Sequence, residues 1–241
     1  MNTKSKNFLN FLKTTENLIK NKKLYIFKSL LNFIEDKNNS DADYKILSTQ
    51  IRTMTMIDLL IRTESLLKGH FELSSGLHSN QYFQCARLLQ YPEYAEKAGK
   101  QLAALFDTSK IDVVLGPAMG GVIIGYETAK SLGKKSIFTE RKDGIMTLRR
   151  GFHINKGDRV LVIEDVITTA KSTIESIKII ESFGGKIAGI GCIVDRSKGQ
   201  TPLVIKSLIQ IDPEIYSPEE CPMCKLGQSI EKPGSRTQII E

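Results

Sequence analysis

Apolar residues in most of this chain follow two periods, one typical of buried strands and one typical of amphipathic helices. Five short runs rich in β-branched residues predict strands, at residues 111–115, 135–139, 160–163, 186–194 and 203–211. Helical spacing covers residues 122–132 and 174–181, and a glycine follows each of these segments. Strands separated by single helices predict an α/β fold, with a central parallel sheet flanked by helices.

The strand 160–163 leads into the most informative segment of the chain. Two adjacent acids, Glu164 and Asp165, stand where this strand ends, and a turn rich in small hydroxyl side chains follows at 168–173. Ligands of parallel sheets bind beyond the carboxyl ends of the strands, and the first turn of a helix offers free N–H groups to a phosphate. Neighbouring acids suit sugar hydroxyls, or a magnesium ion held through them. The segment therefore predicts a ribose-phosphate clamp, with an ordinary capped helix as the alternative.

Further strand ends also suit a ligand. The glycine-rich turn 116–121 would let backbone amides approach an anion closely, although glycines also mark tight turns. Residues 140–153 lack apolar periodicity and carry several cations, which predicts a mobile lid that neutralises a pyrophosphate rather than a solvated loop. Arg196, which follows Asp195 at a strand end, suits a carboxylate ligand, with a surface ion pair as the alternative.

The first 55 residues differ in charge from the rest of the chain. They hold ten Lys and Arg and five Asp and Glu, so they account for most of the net charge of +7. Their apolar positions predict two amphipathic helices, and the absence of Arg from the first 51 residues argues against a targeting peptide. We predict that residues 1–55 form a basic, helical, non-catalytic extension of a domain at 56–241. A helical pair that binds a membrane surface or a partner is the alternative.

Composition places the chain in a broad class. A hydrophobic content of 41% and a charged content of 25% are typical of soluble globular proteins. The longest uncharged run, beginning at Val113, is too short and too interrupted by glycine to span a bilayer. Four cysteines do not make a disulfide framework in a chain of 241 residues, so we expect a cytoplasmic protein.

Cys221 and Cys224 form a CxxC pair. A structural zinc site needs four ligands, and the histidines His70, His78 and His153 are scattered along the sequence. We therefore predict that the pair marks a structural turn. A metal shared across a dimer is the alternative.

The combined pattern resembles the orotate phosphoribosyltransferase family, a branch of the type I phosphoribosyltransferases, over residues 57–241. Five stretches carry the resemblance, at 69–83, 116–121, 141–142, 160–173 and 194–196. The resemblance implies a small hood formed by the N-terminal segment of the domain. It also implies transfer of the phosphoribosyl group of phosphoribosyl pyrophosphate (PRPP) to orotate, giving orotidine 5′-monophosphate and pyrophosphate in pyrimidine biosynthesis.

The resemblance assigns roles to individual residues. Asp165 and Glu164 would be catalytic and would hold the ribose. The implied PRPP-binding set is Arg141, Lys142, Glu164, Asp165, Val166, Ile167, Thr168, Thr169, Ala170, Lys171 and Ser172. Thr168 and Arg196 would hold orotate, with Tyr82 and Phe83 near its ring. Magnesium (Mg²⁺) would be held through PRPP, with Asp165 as the candidate side chain. The implied assembly is a homodimer whose lids cross between subunits, with neither nucleic acid nor membrane as a partner.

This chain departs from the family pattern at several positions. Ser74 and Gly120 stand where many members carry Lys, and Ile145 and Thr147 replace a Lys and a His within the lid. Arg149 and Arg150 are candidates to supply the missing cations. Ala170 stands where the family has Gly, and we expect its methyl group to restrict how closely the backbone wraps the 5′-phosphate. A PRPP-binding regulator, or a transferase for another nucleobase, is the alternative function.

Overall fold

A computed structural model describes residues 54–73, 75–197, 199 and 201–233. Almost all of the predicted extension, and Ser74, lie outside the described residues. The helices are α1 Met56–Arg62, α2 Ala86–Leu89, α3 Pro92–Ala103, α4 Gly120–Leu132, α5 Lys171–Ser182 and α6 Pro222–Lys225, with a 3-10 turn at Thr108–Lys110. The strands are β1 Leu66–Glu72, β2 His78–Phe83, β3 Val113–Pro117, β4 Lys135–Lys142, β5 Ile145–Leu148, β6 Arg159–Ile167, β7 Lys186–Asp195, β8 Lys206–Gln210 and β9 Ile215–Tyr216.

Six strands form the central sheet in the order β5-β4-β3-β6-β7-β8. Five of these strands run parallel to one another, namely β4, β3, β6, β7 and β8. The edge strand β5 is antiparallel to β4. The predicted α/β fold is confirmed, with a mixed sheet rather than a wholly parallel one. From β3 the chain crosses to β4 on one side, and from β6 it crosses to β7 on the other. The switch point therefore lies between β3 and β6, where ligands of such sheets bind.

Helices cover both faces of the sheet around β6. Val160 and Val162 share a buried cluster with Ile180 of α5. Side chains alternate along a strand, so Leu161 and Ile163 belong to the opposite face, where α4 packs on β3 and β6. Both pairs of residues are fully buried, which explains the uninterrupted apolar run that predicted this strand. In the described part of the chain, every helix is too short or too polar to cross a membrane.

Part of the predicted lid at residues 140–153 is regular secondary structure. Strand β4 continues to Lys142 and pairs with β5 in an antiparallel hairpin, in which Lys142 lies opposite Ile145. Asp143 and Gly144 form its two-residue turn, both with positive φ. Asp-Gly favours this type of hairpin turn, so residues 140–148 of the predicted lid form a hairpin. The Asp143-Gly144 dipeptide, rather than the apolar periodicity, is the sequence feature that predicts this hairpin.

A second, three-stranded sheet of order β1-β2-β9 forms the hood. Strands β1 and β2 come from the N-terminal segment of the domain, as the resemblance implies. The third strand comes from the C-terminal part of the chain and pairs with β2 through His78 and Tyr216. Beyond it, Glu231 forms a further bridge to Phe71. The C-terminal segment therefore completes the hood, which the N-terminal segment was predicted to form alone.

Candidate active site

A small pocket lies at the carboxyl end of β6, where the predicted clamp begins. It encloses about 80 Å³. The lining residues are Glu164, Val166, Ile167, Thr168, Thr169, Ala170, Lys171, Ser172 and Thr173. Eight of the eleven predicted PRPP-binding residues therefore meet in one place, because they belong to one continuous strand, turn and first turn of a helix. Arg141, Lys142 and Asp165 do not line the pocket.

The start of α5 builds the end of the pocket that was predicted to hold a phosphate. The backbone N–H groups of the first helical turn have no partners within the helix, and they point toward the positive end of the helix dipole. Ala170 precedes the helix in the left-handed region, with φ of 58°. Ala170 is buried in the apolar cluster beneath the helix and also lines the pocket, so the expectation that its methyl group restricts how closely the backbone wraps the 5′-phosphate stays a prediction. The family glycine at this position is explained by the backbone conformation.

The two acids lie within the last part of β6 rather than after its end. Glu164 pairs in register with Cys192 of β7, and the strand continues to Ile167. As neighbours in a strand, Glu164 and Asp165 point to opposite faces. Glu164 lines the pocket and is buried, and burial together with the nearby Asp165 charge raises its pKa to about 9. Burial also raises the pKa of Asp165, whose Oδ1 accepts a hydrogen bond from its neighbour Val166 N–H at 2.8 Å.

The glycine-rich turn 116–121 packs directly against the end of β6. A Cβ atom at Gly116 would lie 2.2 Å from the carbonyl oxygen of Gly121, and one at Gly121 would lie 2.7 Å from that of Ile163. A Cβ atom at Gly120 would lie 2.2 Å from Oδ1 of Asp165. These glycines are therefore required for close packing, and Gly120 also leaves space for a predicted catalytic carboxylate. A lysine at Gly120 would require Asp165 to move.

Arg196 follows β7 and lies beside the pocket. Its backbone N–H donates to the carbonyl oxygen of Ile167 at 2.8 Å, which fixes it next to the clamp. Its guanidinium carbon lies 5.3 Å from the centre of the Phe83 ring. Nε of Arg196 is buried and, among the described residues, has no hydrogen-bond acceptor. Asp195 instead accepts from the backbone N–H of Ser197, so these two neighbours do not form the surface ion pair considered as the alternative.

Tyr82 and Phe83 lie at the end of β2, on the hood side of the pocket. The Phe83 ring is buried beneath Arg196, whereas the Tyr82 ring lies 5.9 Å from the ring of Phe71. Tyr82 is nonetheless within electrostatic range of Arg196 and Asp165, and burial raises the pKa of its hydroxyl. The predicted substrate-side residues therefore approach the clamp from a second sheet.

The lid cations are engaged by acids of the same chain. Arg141 donates to the carbonyl oxygen of Gly144 at 2.8 Å and forms an ion pair with Glu175 of α5. Arg150 and Arg149 lie 3.0 and 3.6 Å from the carboxylate oxygens of Glu140. The structure therefore places the two candidate replacement cations on Glu140 rather than in the pocket, while Lys142 is exposed.

Sequence reasoning missed two partners of the site. Glu175 lies one turn into α5 and holds Arg141, yet nothing in its local sequence distinguishes it from a solvated helix residue. Gly120 was noted as a lost lysine, although its position at the switch point indicates that it also packs against an acid. Both relations depend on contacts between separate βα units.

Comparison with known proteins gives one consistent result. A family model described as the phosphoribosyl transferase domain matches residues 85–222. An orotate phosphoribosyltransferase of Desulforamulus reducens is 48% identical over 183 residues, which cover 75% of this chain and 96% of the relative. One of Caldicellulosiruptor saccharolyticus is 51% identical over 182 residues, covering 75% and 95%. The crystal structure of orotate phosphoribosyltransferase from Aeropyrum pernix matches with a TM-score of 0.56 at 25% identity, covering 65% of this chain and 94% of that chain.

The contact between Gly120 and Asp165 predicts the effect of a single methyl group. We expect Gly120→Ala to lower kcat by roughly tenfold or more, because displacing a reacting-site group by about 1 Å has effects of this size. Gly125→Ala on the same helix is the matched control, since its Cβ would lie 3.4 Å from Gly116 Cα, an ordinary contact. Steady-state kinetics measure both. Equal activities in the two variants would contradict the proposed contact.

The raised pKa of Glu164 predicts how stability depends on pH. The folded state holds this proton up to about pH 9, whereas the unfolded state releases it near 4.5. Between these values the free energy of unfolding of the ligand-free protein therefore falls as pH rises. Glu164→Gln removes this loss, so its stability relative to the unmodified protein should increase from pH 5 to pH 9. Denaturant unfolding measures the difference, with exposed Glu181→Gln as control. Parallel pH profiles for all three proteins would exclude a buried, protonated Glu164.

Proposed function

This chain belongs to the orotate phosphoribosyltransferase family, and from this premise we propose how its residues carry out the reaction. The enzyme transfers the phosphoribosyl group of PRPP to orotate, giving orotidine 5′-monophosphate and pyrophosphate in pyrimidine biosynthesis. A bond forms between the orotate ring nitrogen and C1 of the ribose, and the bond from C1 to pyrophosphate breaks. Orotate supplies the nucleophile, so the protein needs no nucleophilic side chain. Its task is to align the reactants and stabilise charge.

The pocket and its surroundings supply a group for each part of the substrates. In our proposal, the N–H groups at the start of α5 and the hydroxyls of Thr168, Thr169 and Ser172 hold the 5′-phosphate. Glu164 and Asp165 hold the ribose hydroxyls, and the Asp165 carboxylate stabilises positive charge that develops on the sugar. Arg141 and Lys142 neutralise the departing pyrophosphate.

Magnesium fits this arrangement as an ion bound mainly by the substrate. Among the described residues, a group of three or more candidate metal ligands does not occur at this pocket. Burial raises the pKa of Glu164 in the ligand-free protein, which favours a hydrogen bond from this carboxyl to a sugar hydroxyl. We therefore propose that Mg²⁺ is held through PRPP oxygens, with Asp165 as its side-chain neighbour. Bound there, it would neutralise negative charge on the pyrophosphate.

The observation that carries the choice of base is the partly exposed side chain of Arg196, whose Nε is buried without an acceptor among the described residues. Orotate differs from uracil by one carboxylate, and a buried carboxylate needs a charged partner with several donors. Nε of Arg196 is buried without an acceptor among the described residues, beside the end of β6. Thr168, at the adjoining turn, would contribute a second contact, and Phe83 supports the guanidinium from below. A regulator without catalysis and a transferase for another base have no comparable support.

We further propose a homodimer in which each lid serves the neighbouring subunit. Met119, which directly precedes α4, and Ile123 and Tyr126 of α4 are 83%, 47% and 60% exposed. Apolar groups exposed together in this way are typical of interfaces. The ion pair of Arg141 with Glu175 holds the hairpin on its own chain, so a crossing lid must break it. Both side chains are partly exposed, so the cost of breaking the pair is small.

Two remaining proposals concern the location and the extension. The four cysteines form no disulfide among the described residues, which favours a reducing cytoplasm. The relatives match 75% of this chain, and we propose that residues 1–55 are a non-catalytic extension. The proposed partners are PRPP, orotate and a second copy of this chain, and they include neither nucleic acid nor a membrane.

Substrate use tests the function and the role of Arg196 together. The full chain and residues 56–241 should each convert orotate only when PRPP and magnesium are present. The loss of the ultraviolet absorbance of orotate measures this conversion. Arg196→Ala should raise KM for orotate by about thirtyfold or more, as loss of a charged, hydrogen-bonded contact costs roughly 2–5 kcal/mol. Its KM for PRPP should change little. Consumption of uracil or a purine instead of orotate would refute the substrate, and unchanged orotate kinetics in Arg196→Ala would place carboxylate recognition elsewhere.

Mixing of inactive variants tests the shared site. Arg141→Ala removes a lid cation, and Asp165→Asn removes a charge under the sugar, so each homodimer should lose most activity. If lids cross between subunits, hybrid dimers contain one site with both residues intact, and activity should return toward a quarter of the unmodified level on subunit exchange. Each variant mixed with itself is the control. Confirmed exchange without any recovery would show that each lid serves its own site.

A further inference from the structure

Four metal-binding side chains meet at the hood, away from the pocket. His70 of β1, His78 of β2, and Cys221 and Cys224 of the CxxC pair bring four ligand atoms within 4.8 Å of one another. The two histidines and Cys221 are buried, whereas Cys224 is exposed. The premise that these histidines are scattered, on which the prediction of a simple turn depended, was therefore wrong.

Distances within this cluster fit a tetrahedral metal site. Nε2 of His70 lies 3.0 Å from Nδ1 of His78, 3.5 Å from Sγ of Cys221 and 3.6 Å from Sγ of Cys224. Sγ of Cys224 lies 3.3 Å from Nδ1 of His78. Zinc bonds of about 2.0–2.1 Å to nitrogen and about 2.3 Å to sulfur give tetrahedral edges of roughly 3.3–3.6 Å for these pairs. An ion at the centre would need only small side-chain shifts.

The backbone orients His70 toward the cluster. A bulge in β1 lies between Lys68 and Phe71, and bulges re-aim side chains next to sites. Nδ1 of His70 lies 3.0 Å from the carbonyl oxygen of Gln228. A carbonyl accepts but cannot donate, so Nδ1 carries the proton and Nε2 presents its lone pair to the other three ligands. Metal-binding histidines commonly have such an outer hydrogen bond.

The donor set selects the ion. Two thiolates and two neutral imidazoles balance the charge of a divalent cation, which suits a largely buried site. Tetrahedral sulfur and nitrogen ligands without an open position are typical of structural zinc. We propose that His70, His78, Cys221 and Cys224 bind one structural zinc ion, which fastens the C-terminal segment to the hood sheet. The exposed Cys224 gives the ion an entry path.

Without a metal, the same groups would make weaker links. The 3.0 Å contact of the histidines would be a single hydrogen bond, and the cysteines would be free thiols or a reducible disulfide. These arrangements predict no bound metal and no dependence of stability on chelators. The metal content of the protein therefore separates them from the zinc site.

Metal analysis of the purified full chain is the direct test. Protein prepared with reductant and without chelator should contain about one zinc ion per chain. The double variant Cys221→Ser/Cys224→Ser should contain almost none. Cys192→Ala and His153→Gln are the controls, since Cys192 is buried in β7 and His153 lies in a different segment, and both should keep their zinc. Zinc-free protein after incubation of the reduced chain with zinc, or undiminished zinc in the double variant, would overturn the proposal.

Cobalt substitution supplies a readout that does not depend on the folding of a variant. The unmodified chain loaded with Co²⁺ should show the visible bands of a tetrahedral ion and a thiolate charge-transfer band in the near ultraviolet. The single variant Cys224→Ser, altered at the exposed ligand, should keep its fold and lose part of the charge-transfer intensity. Spectra of six-coordinate Co²⁺ without thiolate bands would overturn the assignment of ligands.

Chelation tests the structural role of the ion. A metal bound only to the folded state stabilises it, so removal of zinc should lower the Tm of the unmodified protein and added zinc should restore it. The double variant should show no change with either treatment. A Tm that is insensitive to chelator, in protein shown by metal analysis to have lost its zinc, would refute the fastening role.

Discussion

Backbone segments at the centre of the sheet approach each other so closely that side chains cannot fit between them, and the candidate active site depends on this constraint. Gly116 and Gly121 face each other across the turn after β3, and Gly121 packs on the carbonyl oxygen of Ile163. This packing brings the start of α4 against the end of β6 at the switch point of the sheet. The carboxylate of Asp165 occupies the space left by Gly120. The absence of a side chain at Gly120 therefore permits both the close packing and the position of the predicted catalytic carboxylate.

The same place concentrates titratable side chains whose polar atoms have few partners in the folded protein. Glu164 and Asp165 are neighbours in a strand, and burial raises the pKa of both. Arg196 lies beside them and is partly exposed, but its Nε is buried without an acceptor among the described residues. Such groups cost stability in the free protein, but they require little reorganisation when a charged substrate arrives. Arg141 is different, because it forms an ion pair with Glu175 of α5 in the ligand-free protein.

Local patterns predicted what local sequence determines. The run 160–163, the acids after it and the hydroxyl-rich turn predicted a strand, a pocket and a helix start, because all three are made by consecutive residues. Features made by distant residues were missed or misread. Sγ of Cys221 lies beside Nε2 of His70, which is 151 residues away in the sequence. A bulge in β1 and the C-terminal strand β9 bring the two together, and the spacing of residues in the sequence indicates neither feature. Asp143-Gly144 was readable as a hairpin turn, but the charges around it favoured a loop.

The contribution of the C-terminal segment to the hood connects the two sheets functionally. Strand β2 carries Tyr82 and Phe83 on the substrate side, and the same strand pairs with β9 and contributes His78 to the metal-ligand cluster. Hydrogen bonds between Glu231 and the backbone of β1 add a second connection. Closing so long a loop costs considerable conformational entropy, which a few hydrogen bonds offset only weakly and a metal clamp offsets strongly. The position of Tyr82 and Phe83, which we propose to lie near orotate, therefore depends on contacts made near the far end of the chain.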